Sequence, residues 1–357
     1  MSELIYLACL HSLWISQRKL LQIFENKDNY KEFYEKLNYQ SLKPFLWEKE
    51  VTSVLWKLEK IIPEQIAKII KEKSVEIVTI KDPKYPELLK QIANPPYLFY
   101  IRWLIDNSPK IVIIWSRSMT SYGKRAIEKL VPWLSKYFTI VSWWAFWCDS
   151  EAHLQTLKNN WKTIAVIWTW IDLDYPIQNK KLFDDIVAKG GWIISIFPVW
   201  EVANTYNFPI RNEIVSAISS WVVVIESGEK SGTLITANLA LEQWKDVFAV
   251  PWDLYKSNSI WCNNLIKNGN AKMITVTEDI LEEYNIKTKF DETSKQNIVF
   301  WNNIEKIIYD KLLLESLDTD ELVLKTGLWL WDTMTNISML EIKGIIRKSV
   351  NGKYEIR

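Results

Sequence analysis

Tryptophan occupies turns of this chain at which the backbone requires glycine. The sequence has 9 glycines and 21 tryptophans in 357 residues, whereas average usage would give roughly 25 glycines in a chain of this length. The segments 142–147 and 168–170, which read Ser-Trp-Trp-Ala-Phe-Trp and Trp-Thr-Trp, each follow a short Val/Ile run where a strand turns into a helix. The backbone there must turn tightly or let a phosphate approach, and an indole side chain hinders both.

We therefore propose, as a hypothesis, that the gene is read with a code in which UGA specifies glycine, so that many of these tryptophans stand for glycine. The alternative is a truly tryptophan-rich protein whose indoles stack on nucleic-acid bases, which would place them on exposed faces of strands or loops. Coding DNA in which every tryptophan codon is UGG would contradict the hypothesis. The presumptive glycines at the turns are Trp115, Trp143, Trp144, Trp147, Trp168 and Trp170.

Composition limits the class of protein. The net charge is +1, from 44 Lys and Arg against 43 Asp and Glu, so any nucleic-acid site must be a local patch. The cysteines Cys9, Cys148 and Cys262 are too far apart to form a disulfide framework or a metal knuckle, and we expect no metal and no cofactor. With no basic leader and no apolar run of membrane-spanning length, we expect a soluble protein of the reducing cytoplasm.

The pattern along the chain predicts an α/β protein of three parts. Residues 1–75 read as short amphipathic helices, a small helical domain of the SAM or helix-hairpin-helix kind. Residues 76–285 alternate buried strands with helices, which predicts a Rossmann-like, doubly wound parallel sheet. Residues 286–300 are a polar linker, and residues 301–357 read as three helices and a hairpin, a winged helix. The predicted strands lie at Ile111–Ile114, Ile140–Val141, Ile164–Ile167, Ile193–Ile196, Val222–Ile225, Val247–Val250 and Met273–Val276.

Small polar residues and presumptive glycines cluster at the turns that follow the predicted strands. In an open parallel sheet these turns lie at one edge, where helix N-termini bind anions. Four such turns together favour a phosphate-binding groove, to which Arg117 adds a planar guanidinium suited to phosphate. A tight connection that binds no ligand is the alternative for each turn taken alone. The turns are 115–117, 142–144, 168–170 and 231–233.

Several other sites are weakly supported. No G-x-G-x-x-G pattern, even with glycine restored, is followed by an acidic residue at the dinucleotide spacing, and the P-loop ingredients of 228–233 are in the wrong order. Arg211 and Asn212 precede or begin a helix, where they could contact phosphate or base, or form a surface ion pair. His153 has no nucleophile-elbow partner, so we interpret it as a structural histidine.

A set of ordered motifs over about residues 80 to 280 resembles the DNA-processing protein A family, also called Smf or DprA. The segment Ile114-Trp115-Ser116-Arg117 looks like the family's Gly-Ser-Arg, and nearly every family glycine in these motifs falls on tryptophan here. The other matching segments are 85–89, 94–100, 142–153, 165–172, 175–179, 208–212, 231–237, 247–252 and 261–266.

The resemblance implies a non-catalytic protein that binds and protects single-stranded DNA and loads a RecA-type recombinase, chiefly in natural transformation, and that forms a homodimer. By motif position it implies phosphate contacts along the edge. Glu213 stands where the family often has a second arginine, which removes a positive charge. The predicted DNA-binding residues are Ser116, Arg117, Ser142, Thr169, Asn179, Arg211, Asn212, Ser231 and Thr233.

Two other functions stay open at this point. A nucleotide-processing enzyme of the phosphoribohydrolase kind would hold phosphate at 231–233, but it requires a Gly-Gly-x-Gly-Thr turn and a following catalytic Glu that this segment lacks. An interaction scaffold with a vestigial groove is the third reading. Residues 301–357 carry 8 basic and 9 acidic residues, net −1, so the predicted winged helix is a poor candidate for strong duplex binding.

Overall fold

The computed structural model describes residues 2–102, 107–116, 120–143, 150–171, 179–202, 204–228, 232–253, 260–284, 286, 300–349 and 352–356. Of the predicted site residues and turn tryptophans, Arg117, Ser231, Trp144 and Trp147 lie outside these ranges. The chain divides into two compact units, Met1–Asn285 and Ile286–Arg357.

The first unit begins with six helices. Their apolar residues recur at helical spacing, and Pro63 begins the sixth helix at a position where its missing N–H is tolerated. The helices are α1 (Glu3–Ser12), α2 (Gln17–Phe24), α3 (Tyr30–Glu35), α4 (Tyr39–Leu42), α5 (Glu48–Leu58) and α6 (Pro63–Glu72).

A nine-stranded sheet follows, in the order β1-β2-β6-β5-β4-β3-β7-β8-β9. Six of the seven predicted runs correspond to strands, β3 to β8, whereas the seventh, Met273–Val276, overlaps β9 at Met273 alone. Strands β3 to β9 pair in parallel. β1 and β2 were not predicted: β2 pairs with β6 in antiparallel fashion, and β1 pairs with β2, also in antiparallel fashion. The strands are β1 (Val75–Thr79), β2 (Leu98–Arg102), β3 (Lys110–Trp115), β4 (Thr139–Trp143), β5 (Thr163–Val166), β6 (Trp192–Ser195), β7 (Trp221–Glu226), β8 (Asp246–Ala249) and β9 (Lys272–Met273).

The strand order reverses between β3 and β7. From β3 the chain adds β4, β5 and β6 on one side, and then crosses over to add β7, β8 and β9 on the other. Helices cover both faces of the parallel strands, so the sheet is doubly wound. These helices are α7 (Glu87–Lys90), α8 (Ser121–Leu134), α9 (Ser150–Lys158), α10 (Lys180–Ala188), α11 (Asn207–Ala217), α12 (Gly232–Glu242), α13 (Ile260–Lys267) and α14 (Glu278–Glu283).

The N-terminal helices share a hydrophobic core with the sheet. Leu98 and Tyr100 of β2 pack in one cluster with α1 to α6, whereas Phe99 and Ile101 point to the opposite face and pack with α11. This alternation is the two-residue period of a strand buried on both sides. Residues 1–75, predicted as a separate domain, therefore belong to the same compact unit as the sheet.

Among the described residues, three tryptophans adopt the left-handed backbone conformation that favours glycine: Trp14 (φ 68°), Trp200 (φ 68°) and Trp244 (φ 57°). Trp244 follows α12, where its N–H donates to the Leu241 carbonyl, and the next N–H, of Lys245, donates to Ala240 at 2.9 Å. This is the C-terminal cap geometry in which glycine is preferred, and the Trp244 side chain is 97% exposed. The geometry accords with the codon hypothesis, which stays a prediction.

The second unit contains α15 (Asn303–Leu312), α16 (Thr319–Thr326), α17 (Leu330–Ile342) and the antiparallel pair β10 (Ile346–Lys348) and β11 (Tyr354–Ile356). Its core includes Ile308, Leu322 and Leu340. α16 begins with a capping box from Asp318 and ends at Gly327, in the left-handed conformation. Among the described residues no helix is long and apolar enough to cross a membrane.

Candidate nucleic-acid interface

The crevice between β3 and β7 is where a doubly wound sheet places its ligand. Ser116 lies there, just after β3, and its side chain is buried. Its backbone N–H donates to the Glu226 carbonyl at 2.9 Å, which ties the ends of the two strands together. The predicted residue Ser116 therefore lies at the switch point.

Glu226 fills the helix N-terminus next to this crevice. Its buried carboxylate accepts hydrogen bonds from the Thr120 N–H at 2.9 Å and from the Thr120 hydroxyl, at the start of α8. A Cβ on Gly123 would lie 2.5 Å from Glu226 Oε2, so the first turn of α8 has room for the carboxylate because residue 123 is glycine. The start of α8 is thus occupied by the protein's own anion, and Glu226 adds negative charge beside the crevice.

Arg211 lies farther along the same edge, toward β4 and β5. Its Nη1 donates to the Val166 carbonyl at 3.2 Å and its Nε donates to Asn212 Oδ1 at 3.1 Å. The guanidinium carbon is 5.5 Å from the ring centre of Trp143 and 5.8 Å from that of Phe208. Arg211 is 2% exposed, so in the chain as it stands the aromatic rings cover this cation.

Asn212 connects Arg211 to the start of α12. It is buried, and a Cβ on Gly232 would lie 3.8 Å from its Nδ2. Thr233, the next residue of α12, is also buried. The structure therefore brings Arg211, Asn212 and Thr233 to one part of the edge, while Ser231 lies outside the described residues.

Two side-chain hydroxyls that were predicted to bind DNA form hydrogen bonds to backbone carbonyls of the protein instead. Ser142 is fully buried and donates to the Ile113 carbonyl at 2.8 Å, within the sheet. Thr169 is buried and donates to the Trp170 carbonyl at 3.1 Å, while Ser195 donates to the Thr169 carbonyl at 2.6 Å. A phosphate contact by Ser142 or Thr169 would require these hydroxyls to exchange partners, or would come from backbone N–H groups.

Asn179 meets the start of α9. It is the residue before α10, and its Oδ1 accepts a hydrogen bond from the Ser150 hydroxyl at 3.3 Å. Two helix N-termini therefore converge beside Asn179, which is partly exposed. This places Asn179 on the carboxyl side of the sheet, apart from the Arg211 contacts.

The turn tryptophans fill the edge. Trp115, Trp143, Trp168 and Trp170 are all buried, and Trp168 stacks on Phe208 with ring centres 4.0 Å apart. Within the described part of the chain, the buried indole N–H groups of Trp115 and Trp143 have no hydrogen-bond acceptor. A buried donor without an acceptor costs about 1–3 kcal/mol, a cost that glycine at the same position avoids.

His153 has a structural role, as predicted. Its Nδ1 is 2.7 Å from the Thr163 hydroxyl and its Nε2 is 3.2 Å from the Trp143 carbonyl. Burial lowers the pKa of the imidazole to about 4, so the ring is neutral at pH 7. Among the described residues, no group of three His, Cys, Asp or Glu side chains could hold a metal ion.

Sequence reasoning missed Glu226 and Thr120. The available signal was an acidic residue directly after the apolar run 222–225, at the strand end where ligands bind. A carboxylate at that position is either a ligand-binding group or a helix cap. Only the contact with Thr120 distinguishes these two roles.

The fold and the edge define a class: a doubly wound α/β protein of Rossmann-like strand order, with buried Arg, Asn and Thr side chains at the carboxyl ends of its strands. The model of one family, DNA recombination-mediator protein A, matches residues 76–285. The chain belongs to this family.

Relatives of known name support the assignment. Protein Smf of Synechocystis is 35% identical over 258 residues, which are 70% of this chain and 64% of that protein, just under two thirds of its length. DNA processing protein DprA of Streptococcus pneumoniae is 35% identical over 208 residues, 58% of this chain and 73% of the relative.

Two solved structures are similar. The X-ray structure of DNA processing protein A from Streptococcus pneumoniae superposes with a TM-score of 0.67 at 28% identity, covering 79% of this chain and 98% of that one. A Helicobacter pylori structure, whose description concerns the single-stranded DNA binding mode of DNA processing protein A, gives 0.51 at 26% identity, covering 59% of this chain and 96% of that one.

Proposed function

We propose that this chain binds single-stranded DNA along the carboxyl edge of its sheet and acts as a non-catalytic recombination mediator that delivers the strand to a RecA-type recombinase. The observation that carries the proposal is Arg211, a guanidinium oriented by the Val166 carbonyl and Asn212 at the edge where such folds bind phosphate. The Helicobacter pylori relative, described as binding single-stranded DNA, supports the choice of ligand.

In this proposal one backbone phosphate of the DNA binds near the switch point, at Ser116 and Arg117. The next part of the DNA strand binds at Arg211, Asn212, Ser231 and Thr233. Glu226, which lies next to Ser116 at the end of β7, keeps the strand at the rim of the crevice by charge repulsion. Backbone phosphate contacts give affinity without sequence preference, which suits a protein that must accept any incoming strand.

The accessibility of the carboxyl edge of the sheet depends on whether tryptophan or glycine occupies its turns. Glycine at 115, 143 and 168 removes three buried indoles, including the Trp143 ring that lies over the Arg211 guanidinium. We expect the glycine form to bind DNA and the tryptophan form to bind weakly.

We also propose that the protein acts in the cytoplasm as a homodimer. We propose further that the second unit is a winged helix whose net charge of −1 suits protein contacts better than duplex DNA.

The test is fluorescence anisotropy of a labelled oligo-dT over a salt series. The protein carries glycine at 115, 143 and 168, and its Arg117→Ala variant is compared with Lys158→Ala. Lys158 ends α9, at the opposite edge of the sheet, so it is a matched loss of one positive charge. We expect the Arg117 variant alone to weaken binding and to reduce the salt slope by about 1.

Equal binding by both variants would exclude the Arg117 site. A folded glycine form with no affinity for oligo-dT would exclude the DNA-binding function and would favour a nucleotide-processing role. Unchanged affinity between the tryptophan and glycine forms would show that the indoles do not block the strand.

A further inference from the structure

A second concave site lies beside α11, and Arg211 is not among the residues that line it. A cleft of about 720 Å³ opens between the N-terminal helices and the end of β6. Its walls are the turn from α1 to α2 (residues 14–18), the segment 93–96 before β2, the segment 196–198 after β6, and the first turns of α11. Its volume is in the range of sites that bury a ligand of several side chains' size.

The inner wall of the cleft is held in place by partly buried hydrogen bonds. Gln17 Nε2 donates to the carbonyls of Leu98 at 3.0 Å and Ile196 at 3.1 Å, and Gln17 Oε1 accepts from the Leu98 N–H at 3.1 Å. His11 lies behind it, with Nδ1 3.0 Å from the Tyr100 hydroxyl. These contacts join α1, α2, β2 and the segment that follows β6, so the cleft is preformed.

Apolar and proline side chains make up much of the lining. Pro95 and Pro96 form one side, Phe197 and Pro198 another, and Ile210, which is 47% exposed, stands at the mouth. Rigid apolar walls of this kind bind a hydrophobic side chain with little loss of side-chain entropy in the protein.

The charges of the cleft are mainly negative. Glu201 is 8% exposed, and its Oε1 accepts from Asn207 Nδ2 at 3.1 Å. Glu213 lies half-buried on the α11 side, and Arg18 is exposed on the α2 side. Among the described residues that line the cleft, Arg18 is the one side chain that is positively charged at pH 7, because burial lowers the pKa of His11 to about 3. Two carboxylates in an apolar recess repel a phosphodiester and attract a cation.

We propose that this cleft docks a segment of a protein partner that presents a hydrophobic side chain next to a lysine or arginine. The hydrophobic side chain enters between the prolines and Phe197, and the basic group lies between Glu201 and Glu213. Charge complementarity selects this occupant over DNA, and the site acts independently of the DNA-binding edge.

The experiment uses the full chain and two short probes, acetyl-Leu-Arg-Leu-amide and acetyl-Leu-Glu-Leu-amide, whose binding is measured by saturation-transfer NMR titration. We expect the arginine probe to bind and the glutamate probe not to bind. The double variant Glu201→Gln and Glu213→Gln keeps the hydrogen-bond acceptor for Asn207, and we expect it to weaken the arginine probe about fivefold or more. Glu128→Gln, an exposed carboxylate on α8, is the matched control and should change nothing.

A second variant tests the apolar part. Ile210→Ala removes an exposed side chain at the mouth, so the fold should survive while the affinity for the arginine probe falls. Equal binding of the two probes, or an arginine-probe affinity that none of the cleft variants changes, would overturn the proposal. Displacement of the arginine probe by oligo-dT would overturn it as well, because the cleft would then be part of the DNA path.

Discussion

The carboxylate of Glu226 lies inside the first turn of α8, where it accepts hydrogen bonds from the Thr120 N–H at 2.9 Å and from the Thr120 hydroxyl. An acidic side chain therefore caps the helix that begins at the switch point of the sheet. This contact stabilises the start of α8, and it also places a negative charge beside the strand ends that we assign to DNA. We therefore expect this residue to have opposite effects on stability and on phosphate binding.

Glu226→Gln separates these two effects. The amide keeps the shape and one acceptor oxygen but removes the charge, so we expect a loss of about 1–2 kcal/mol in the free energy of unfolding, because a charge-assisted hydrogen bond becomes a neutral one. We expect oligo-dT affinity to rise in the glycine form, measured by anisotropy. Glu128→Gln on the exposed side of α8 is the control for charge alone. A fall in affinity in a folded Glu226→Gln protein would show that the carboxylate helps to form the DNA site.

Gly123→Ala tests the space for Glu226. The new Cβ would lie 2.5 Å from Glu226 Oε2, so the carboxylate must move and we expect a loss of about 1–3 kcal/mol, measured by urea unfolding. Gly232→Ala is the matched control, since its Cβ would meet only Asn212 at 3.8 Å. Equal stability of the two variants would contradict the close packing described here.

Two tryptophan-to-glycine variants should change stability in opposite directions. Trp244→Gly relieves a left-handed backbone conformation (φ 57°) at an almost fully exposed position, so we expect a gain of about 1 kcal/mol. Trp133→Gly places glycine inside α8 and removes a partly packed ring, so we expect a loss of about 1 kcal/mol or more. Thermal unfolding of both variants measures this difference, and a loss at both positions would argue against glycine as the natural residue at 244.

Acid should destabilise the first unit through its two buried histidines. Burial lowers the pKa of His11 to about 3 and that of His153 to about 4. Both folded-state values lie below the ordinary value near 6.5, so the unfolded chain binds more protons as the pH falls below 6.5, and stability is lost from there down to the folded pKa. Between pH 7 and pH 5 we expect about 2 kcal/mol of loss for each histidine.

The measurement is urea unfolding at the two pH values for the natural chain and for His153→Gln. The variant should lose about half as much stability between pH 7 and pH 5 as the natural chain. An identical loss in both proteins would mean that the imidazole of His153 is protonated in the folded state.

The sequence predicted the parallel strands well because their physical signature is simple. Strands such as β3 and β7 are buried on both faces, so they read as continuous Val and Ile runs. β1 could not be predicted in this way because Glu76 and Thr79 interrupt its apolar pattern. Its antiparallel pairing with β2 also depends on residues about 25 positions away.

The candidate site was harder to predict than the fold. The motif positions of Arg211 and Asn212 could be recognised, but their burial depends on how α11 packs against β4, β5 and α12. The inward turn of the Ser142 hydroxyl, like the capping role of Glu226, depends on contacts between strands and helices far apart in sequence. Such contacts leave no local pattern, since a buried and an exposed serine look alike in the sequence.

The contacts of Gln17 limit how far the protein can be truncated from its N-terminus. A fragment that began at residue 76, where the family match starts, would lose the side chain that satisfies Leu98 and Ile196 and would leave Tyr97 and Tyr100 without the helices that cover them. Such a fragment would expose an aromatic surface at the edge of an open sheet and would tend to aggregate. Residues 2–285 are therefore the smallest piece to express, and an insoluble shorter fragment would reveal nothing about DNA binding.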